Sequence, residues 1–504
     1  MKVHSPLGNM HDAWYLNLEG TVHALYLQLN QEENALGNVG HISSTDLLHW
    51  ERHTDVLPPL RGENTEDYHE KFTGCMVAHQ DNFSGKQKIF CFYTMRDEKA
   101  ASQRIGLAIS EDGESFTTYS DNPVIIPDPE LFVSYGNIAD YDWDIVDCRD
   151  PIVVYRQEED LYYLYFVAAA MRQDGRIGGA IAMVTSKDLI HWGKQTIVYS
   201  PRQNGMIEVP DVFQLDGKWY LTLLTGVNYR GRGGISDDGL SNFTVYASSD
   251  SPHGPFEEDR VNNILIGGNF QSGSPCRSVE LDGVRYLLYI DRSFGGNTLS
   301  LPKELRVENG QLVALYSSKL KDLRDACLLS EEEQLPQPKL LYTSFAWHTI
   351  GGKIYPNGKS YFAVTDELDY QAALLPVKAV FMEMETELTL SAEGAGFAVL
   401  VTKEQGECCY LVSIEPGQVQ LLEHVSFARL EGRKAEIKEG EKYHCRALFF
   451  EGTFELYLNG RLLLQCGFDT GKELQAGLYC DRGTARFDNL RIYSLINDRK
   501  DEVL

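Results

Sequence analysis

The chain has 504 residues, a formal net charge of −27 at pH 7, 11% aromatic residues and ten cysteines. Such a length predicts roughly two to four domains with ample core, and the acidity excludes polyanionic partners such as nucleic acid or an anionic membrane surface in favour of a neutral ligand. No run approaches the length of a membrane-spanning helix, and the cysteines lack the paired spacings of a zinc site.

The opening residues, MKVHSPLGNMHD, carry no apolar h-region. They are read as the start of a cytoplasmic protein with reduced thiols. Turn-bounded β segments then dominate as far as about residue 320. Apolar runs begin near Val22, Ile89, Leu161, Lys218 and Val284, a spacing of roughly 55–75 residues that predicts radial repeats. A Ser-x-Asp segment recurs in phase at Ser44, Ser110, Ser186 and Ser248, and each copy precedes an aromatic: Trp50, Phe116, Trp192 or Phe256. These segments are expected to be capped turns whose aromatics pack between blades. They are structural, not catalytic.

Five runs and four turns predict an all-β fold, a five-bladed β-propeller over residues 1–320. An acidic, proline-containing stretch, EEEQLPQP, predicts a linker over 321–344. Alternating strands over 345–495, with a hairpin turn at Asn459-Gly460, predict a β-sandwich of the concanavalin or laminin-G kind. Residues 496–504 are expected to be a frayed tail.

The stretch WDIVDCRDPIVVY (143–155) shows the pattern that carries chemistry. Asp150 precedes a buried strand, and Asp12 and Glu208 open similar units. An ionised carboxylate there loses hydration unless it is paired or put to use. In a propeller the three acids fall on blades one, three and four and meet at one mouth of the central channel. Thr73 and Arg277 hold the comparable places in blades two and five, as neutral and basic groups beside the substrate. Two carboxylates flanking a sugar bond are the minimum machinery of most glycosidases. A third can favour the cationic transition state. Trp14, Tyr15, Phe72 and Trp143 are candidate stacking faces for a sugar, and Arg149 is expected to keep Asp150 ionised. The competing reading makes the acids structural ion pairs or turn caps; three in symmetric positions favour catalysis. Neither a phosphate loop nor a nucleophile elbow is present. No metal or organic cofactor is indicated, and the expected partner is a small carbohydrate. Oligomeric state is left open.

In these residues the chain resembles glycoside hydrolase family 32, the β-fructofuranosidases (invertases, inulinases, levanases), over about residues 5–320. NMHDAWYLNLEGTVHALYLQ resembles the family's nucleophile motif, GHISSTDLLHW and KFTGCMVA its next blocks, CRDP its Arg-Asp-Pro block and IEVPDVF its Glu-Cys-Pro block. NTLSLPKELRVENGQL resembles the segment that closes the propeller. The resemblance implies Asp12 as nucleophile, Asp150 as transition-state stabiliser and Glu208 as acid/base. It also implies that Gln28, Phe72, Thr73 and Arg149 line a furanose pocket. His11 and Trp14 stand where the family's first motif has Asn, and Val39 where Trp is frequent. The implied activity is retaining release of terminal fructose from sucrose or short fructans. The alternatives are an arabinofuranosidase, a fructosyltransferase, or a carbohydrate-binding protein without catalysis.

Overall fold

The computed structural model describes residues 8–496, except 31–34, 58–69, 81–86, 98–101, 134–146, 172–174, 176, 202–206, 227–241, 260–262, 269–275, 294–295, 342–352, 366–369, 425 and 427. Trp143 and the tail beyond 496 therefore lie outside the described residues.

The fold is all-β and propeller-like. The first sheet contains β1 (Gly8–Leu18), β2 (Thr21–Asn30), β3 (Ala35–Ser44) and β4 (Glu51–Arg52). The second contains β5 (Glu70–Gln80), β6 (Gln87–Asp97), β7 (Ser102–Ser110) and β8 (Thr117–Thr118). The third runs from β9 (Cys148–Arg156) through β10 (Leu161–Met171) and β11 (Ile177–Ser186) to β12 (Thr196–Tyr199). The fourth joins β13 (Glu208–Leu215), β14 (Lys218–Gly226), β15 (Asn242–Ser249) and β16 (Glu257–Glu258), with β17 (Ile264–Gly268) also against β15.

The next strands are β18 (Cys276–Leu281), β19 (Val284–Ser293), β20 (Gly296–Leu299), β21 (Lys303–Glu308) and β22 (Gln311–Tyr316). They do not stand alone. Leu315 of β22 pairs with Arg461, and the group continues into one network of 18 strands. The expectation of five separate blades is corrected to four. The physical reason is the edge: the outer strand of this group is paired onward by the C-terminal region instead of ending exposed.

First strands touch in cyclic order, β1 on β5, β5 on β9, β9 on β13, β13 on β18 and β18 on β1. Apolar layers fill the junctions between sheets. Phe92 and Phe166 meet between the second and third, and Tyr165 and Leu221 between the third and fourth. The five apolar runs of the sequence prove to be second strands, β2, β6, β10, β14 and β19. Each lies between two strands and between two neighbouring sheets, so it is buried on both faces and reads as a continuous apolar run.

Three of the repeated turns form as expected. Ser44 Oγ accepts from the backbone N–H of Leu47 at 2.8 Å, and Asp46 Oδ1 from those of Leu48 and His49 at 2.8 Å each. The same bonds recur at Ser110 and Asp112 and at Ser186 and Asp188. In the fourth, the cap shifts by one residue, and Ser249 Oγ accepts from Ser251 N–H at 3.2 Å. Trp50, Phe116, Trp192 and Phe256 all pack into inter-sheet layers.

The C-terminal region is β-rich around one apolar core that includes Leu388, Phe397, Phe449, Phe454 and Phe487. Its two longest strands, Met382–Lys403 and Glu473–Leu495, pair antiparallel along most of their length. The expected linker is partly strand, since Arg324–Leu329 pairs with Glu473–Leu495, and Glu331 binds Arg491 at 2.5 Å. The two regions meet through buried charge. Lys303, 0% exposed, binds Glu455 at 2.8 Å, and buried Asp291 accepts from Thr453 Oγ1 at 2.7 Å and Gln465 Nε2 at 3.1 Å. All ten cysteines are free thiols. Among the described residues, no helix is long and apolar enough to cross a membrane.

Candidate active site

The candidate acids sit where the inner strands bulge. Against β2, the register of β1 shifts between His11 and Trp14; β9 shifts around Asp150 against β10, and β13 between Glu208 and Asp211 against β14. Each bulge holds one left-handed residue: Asp12 (φ 42), Asp150 (φ 56) and Val209 (φ 46). Such a conformation is uncommon outside glycine and most strained for a β-branched side chain such as Val209. A bulge re-aims side chains and frees backbone groups from the ladder.

This geometry corrects one expectation. Asp12 and Asp150 are structural equivalents, but the third equivalent is Val209, not Glu208. Glu208 stands one rung earlier, at the position held by His11 and Arg149 in β1 and β9. Its extra methylene lets a glutamate reach from that rung towards the same centre.

Arg149 ties the acids together. Its guanidinium bonds Asp147 Oδ1 and donates to the Ile207 carbonyl at 3.2 Å. It also lies 3.4 Å from Asp150 Oδ2 and 3.6 Å from Glu208 Oε1. Asp150 Oδ2 further accepts from the Val209 N–H at 2.9 Å. Asp12 Oδ2 accepts from Thr73 Oγ1 at 2.6 Å.

Burial pushes the Asp150 carboxyl up to about 6 and that of Glu208 up to about 7, against the lowering influence of Arg149. Asp12 raises both, and Asp150 raises Glu208. The three carboxylates thus share one electrostatic neighbourhood. Arg149 lowers the Asp150 carboxyl, as expected of an adjacent cation, but desolvation is the larger influence and sets the net direction upwards. Glu208 keeps 29% of its side chain exposed, whereas Asp150 keeps 5%. The more exposed acid is the one with the higher proton affinity. That pairing suits a group that exchanges protons with solvent.

The remaining candidates divide. Thr73 is buried and serves Asp12 through its hydroxyl. Phe72 is half-buried, with the Arg96 guanidinium 6.0 Å from its ring. Gln28, fully buried on β2, stands behind Met10. His11 is half-buried beside Asp12, with Nε2 at 3.4 Å from Asn297 Nδ2.

Trp14 and Arg277 are corrections. Trp14 is 1% exposed and packs with Leu25, Leu27 and Val39, so it offers no stacking face. Arg277 is 2% exposed and donates to the carbonyls of Gly74 at 2.6 Å, Asp150 at 3.3 Å and Pro151 at 3.1 Å. It satisfies backbone oxygens around the bulges of β5 and β9 and binds strands together. Tyr15 also points inwards; burial raises its hydroxyl well above the usual range, next to Cys276 and Arg277. Residue reasoning missed Asp147, which holds Arg149, and Thr94, whose hydroxyl accepts from the Asp150 N–H at 2.9 Å. Asp147 was visible as an acid two residues before Arg149; a threonine inside a run of apolar residues carried no such signal.

A propeller-like all-β fold whose inner-strand bulges bring Asp150 and Glu208 to one arginine, with Asp12 in electrostatic reach of both, has the paired carboxylates of the glycoside-hydrolase class of protein. Residues 4–274, more than half of the chain, match the family described as "Glycosyl hydrolases family 32 N-terminal domain". The chain belongs to glycosyl hydrolase family 32. It is 26% identical over 348 residues to a levanase of Bacillus sp. (strain L7), covering 62% of this chain and 33% of that protein. It is 30% identical over 254 residues to an extracellular exo-inulinase of Aspergillus niger, covering 44% of this chain and 43% of that protein. The chain thus spans less than half the length of these curated relatives. Among solved structures, a Bombyx mori GH32 beta-fructofuranosidase superposes with a TM-score of 0.69 at 20% identity, covering 98% of this chain and 93% of that one. A fructan 1-exohydrolase IIa of Cichorium intybus does so with a TM-score of 0.68 at 14% identity, covering 98% and 97%. At these identities the likeness is one of fold.

Proposed function

We propose that the chain is a retaining β-fructofuranosidase that releases terminal fructose from sucrose or short fructans. The observation that carries this reading is the division of labour among three coupled carboxylates. Asp12, held by the Thr73 hydroxyl at 2.6 Å, attacks the anomeric carbon. Glu208, with its carboxyl at about 7, holds a proton near neutral pH and gives it to the leaving oxygen. Asp150 stays an anion above about 6 and stabilises the cationic transition state. Arg149 and Phe72 flank the ring. After the leaving group departs, Glu208 takes a proton from water, which releases fructose from Asp12 with the anomer retained.

The same proposal makes the C-terminal strands from 345 to 495 a sandwich docked on the propeller-like part. The shared apolar packing of Leu301 and Leu320 with Phe381 and Leu448 supports the docking.

Product analysis with sucrose, inulin-type and levan-type oligosaccharides and aryl arabinofuranosides tests the substrate. Free fructose, formed first as the β anomer, is expected. Arabinose release, transfer to a sugar acceptor, or sugar binding without turnover would overturn the reading in favour of an arabinofuranosidase, a transferase or a binding protein.

The pH profile is a second test. Glu208 loses its proton as pH rises through about 7, so kcat/KM should fall on the alkaline side there. Asp150 gains one as pH falls through about 6, so an acid limb should appear near that value. In Glu208→Gln, assayed on an aryl fructofuranoside with a good leaving group, the alkaline limb should vanish and the acid limb remain. An unchanged alkaline limb would assign the proton donor elsewhere.

A further inference from the structure

We propose that Thr94 is a positioning residue that holds Asp12 and Asp150 in a common geometry; this rests on reading both as catalytic. Thr94 lies on β6, one strand behind β5, and is 0% exposed. It faces Phe72 across the ladder, beside the extra residue of the β5 bulge, Thr73. Its hydroxyl donates to the Thr73 carbonyl at 3.0 Å and accepts from the Asp150 N–H at 2.9 Å. Thr73 in turn donates its own hydroxyl to Asp12 at 2.6 Å. One side chain therefore joins the peptide that carries the partner of Asp12 to the peptide of Asp150.

Two features make this more than an incidental bond. The bulges displace the Thr73 carbonyl and the Asp150 N–H from ladder partners, and buried backbone groups require a substitute. A hydroxyl supplies one donor and acceptor lone pairs together, so it can serve both. Asp150 also holds a left-handed backbone at φ 56, a conformation that persists only when its surroundings enforce it. Thr94 fixes its N–H, Arg277 its carbonyl and Val209 its carboxylate. Arg277 also reaches the β5 bulge, at the Gly74 carbonyl, but of these three Thr94 is the one that bonds the residue whose hydroxyl holds Asp12. The β-branched side chain restricts χ1, which keeps the hydroxyl aimed at both peptides. Thr94 touches no reacting atom and acts through the two carboxylates.

The test compares Thr94→Val, which keeps the volume and removes the hydroxyl, with Thr94→Ser, which keeps the hydroxyl. On sucrose or an aryl fructofuranoside, Thr94→Val should lose roughly 100-fold in kcat with KM within about threefold of the parent, and Thr94→Ser should retain kcat within about threefold. Thr94→Ala, with room for a water, replaces the valine variant if that fails to fold. Crystal structures of the variants give a readout independent of turnover. In Thr94→Val the 2.9 Å contact of Val209 N–H with Asp150 and the 2.6 Å bond of Thr73 with Asp12 should open, and in Thr94→Ser both should persist. A valine variant with parental kcat, or with both contacts unchanged, overturns the positioning role. Should the parent cleave no fructofuranoside, the hydrolytic reading fails, and the crystal comparison still decides whether Thr94 holds the two carboxylates.

Discussion

Asp12→Asn should abolish turnover for every leaving group, with a loss of about ten-thousandfold or more in kcat, whereas Glu208→Gln should be selective. The first substitution keeps the size of the side chain, and its amide oxygen can still accept from Thr73, so the fold should be unaffected. What is lost is the nucleophile. Removing the Glu208 proton leaves the first step intact when the leaving group needs no protonation, as with an activated aryl fructofuranoside. The second step then lacks its base. Azide needs no base and should partly restore turnover by attacking the glycosyl-enzyme, yielding a fructosyl azide of retained β configuration. Asp150→Asn should slow all substrates alike while leaving the alkaline limb in place. Mass spectrometry, product configuration and initial rates read these outcomes. Direct release of the inverted anomer, or full activity of Glu208→Gln on sucrose, would refute the assignments.

The second large effect is expected at the junction between the propeller-like part and the C-terminal region. Lys303→Met should destabilise the protein by about 3–5 kcal/mol, the cost of removing one partner of a buried ion pair. Glu455, 3% exposed, would keep the hydroxyls of Tyr289 at 3.1 Å and Tyr457 at 2.5 Å but lose the Lys303 ammonium. Lys303→Met combined with Glu455→Gln should recover much of the loss, because the double change removes both charges of the buried pair. Equilibrium unfolding by denaturant measures both. A chain ending near residue 340 should fare worse still. It would expose Leu301, Leu320 and Leu323, which pack against Phe381, Leu448, Phe450 and Leu495. A soluble, fully stable and equally active truncation would show that the junction is dispensable.

Much was legible in the amino-acid order. The apolar runs from Val22 to Val284 mark strands buried on both faces, and their spacing gives the repeat. The Ser-x-Asp turns are local, closed by bonds among neighbouring residues, so three of four formed as read. Asp12, Asp150 and Glu208 stood out because a carboxylate beside an apolar strand has an energetic cost that local sequence displays. Tertiary structure alone decided the rest. Left-handed bulges at Asp12, Asp150 and Val209 depend on the facing strand, so the single-rung offset of Glu208 could not be counted from repeats. Arg277 looked like a ligand for sugar, yet the carbonyls it serves lie 203, 127 and 126 residues away. Trp14 falls into a layer between sheets that exists only once the ring closes. Arg149 adjoins Asp150 in sequence, but burial, a property of the assembled ring, sets the net direction of that carboxyl. Strand β22 continues into the C-terminal network because its free edge meets Arg461, a partner no local pattern announces. Periodicity and local charge belong to the chain; bulges, burial and edge pairing belong to contacts between residues far apart along it.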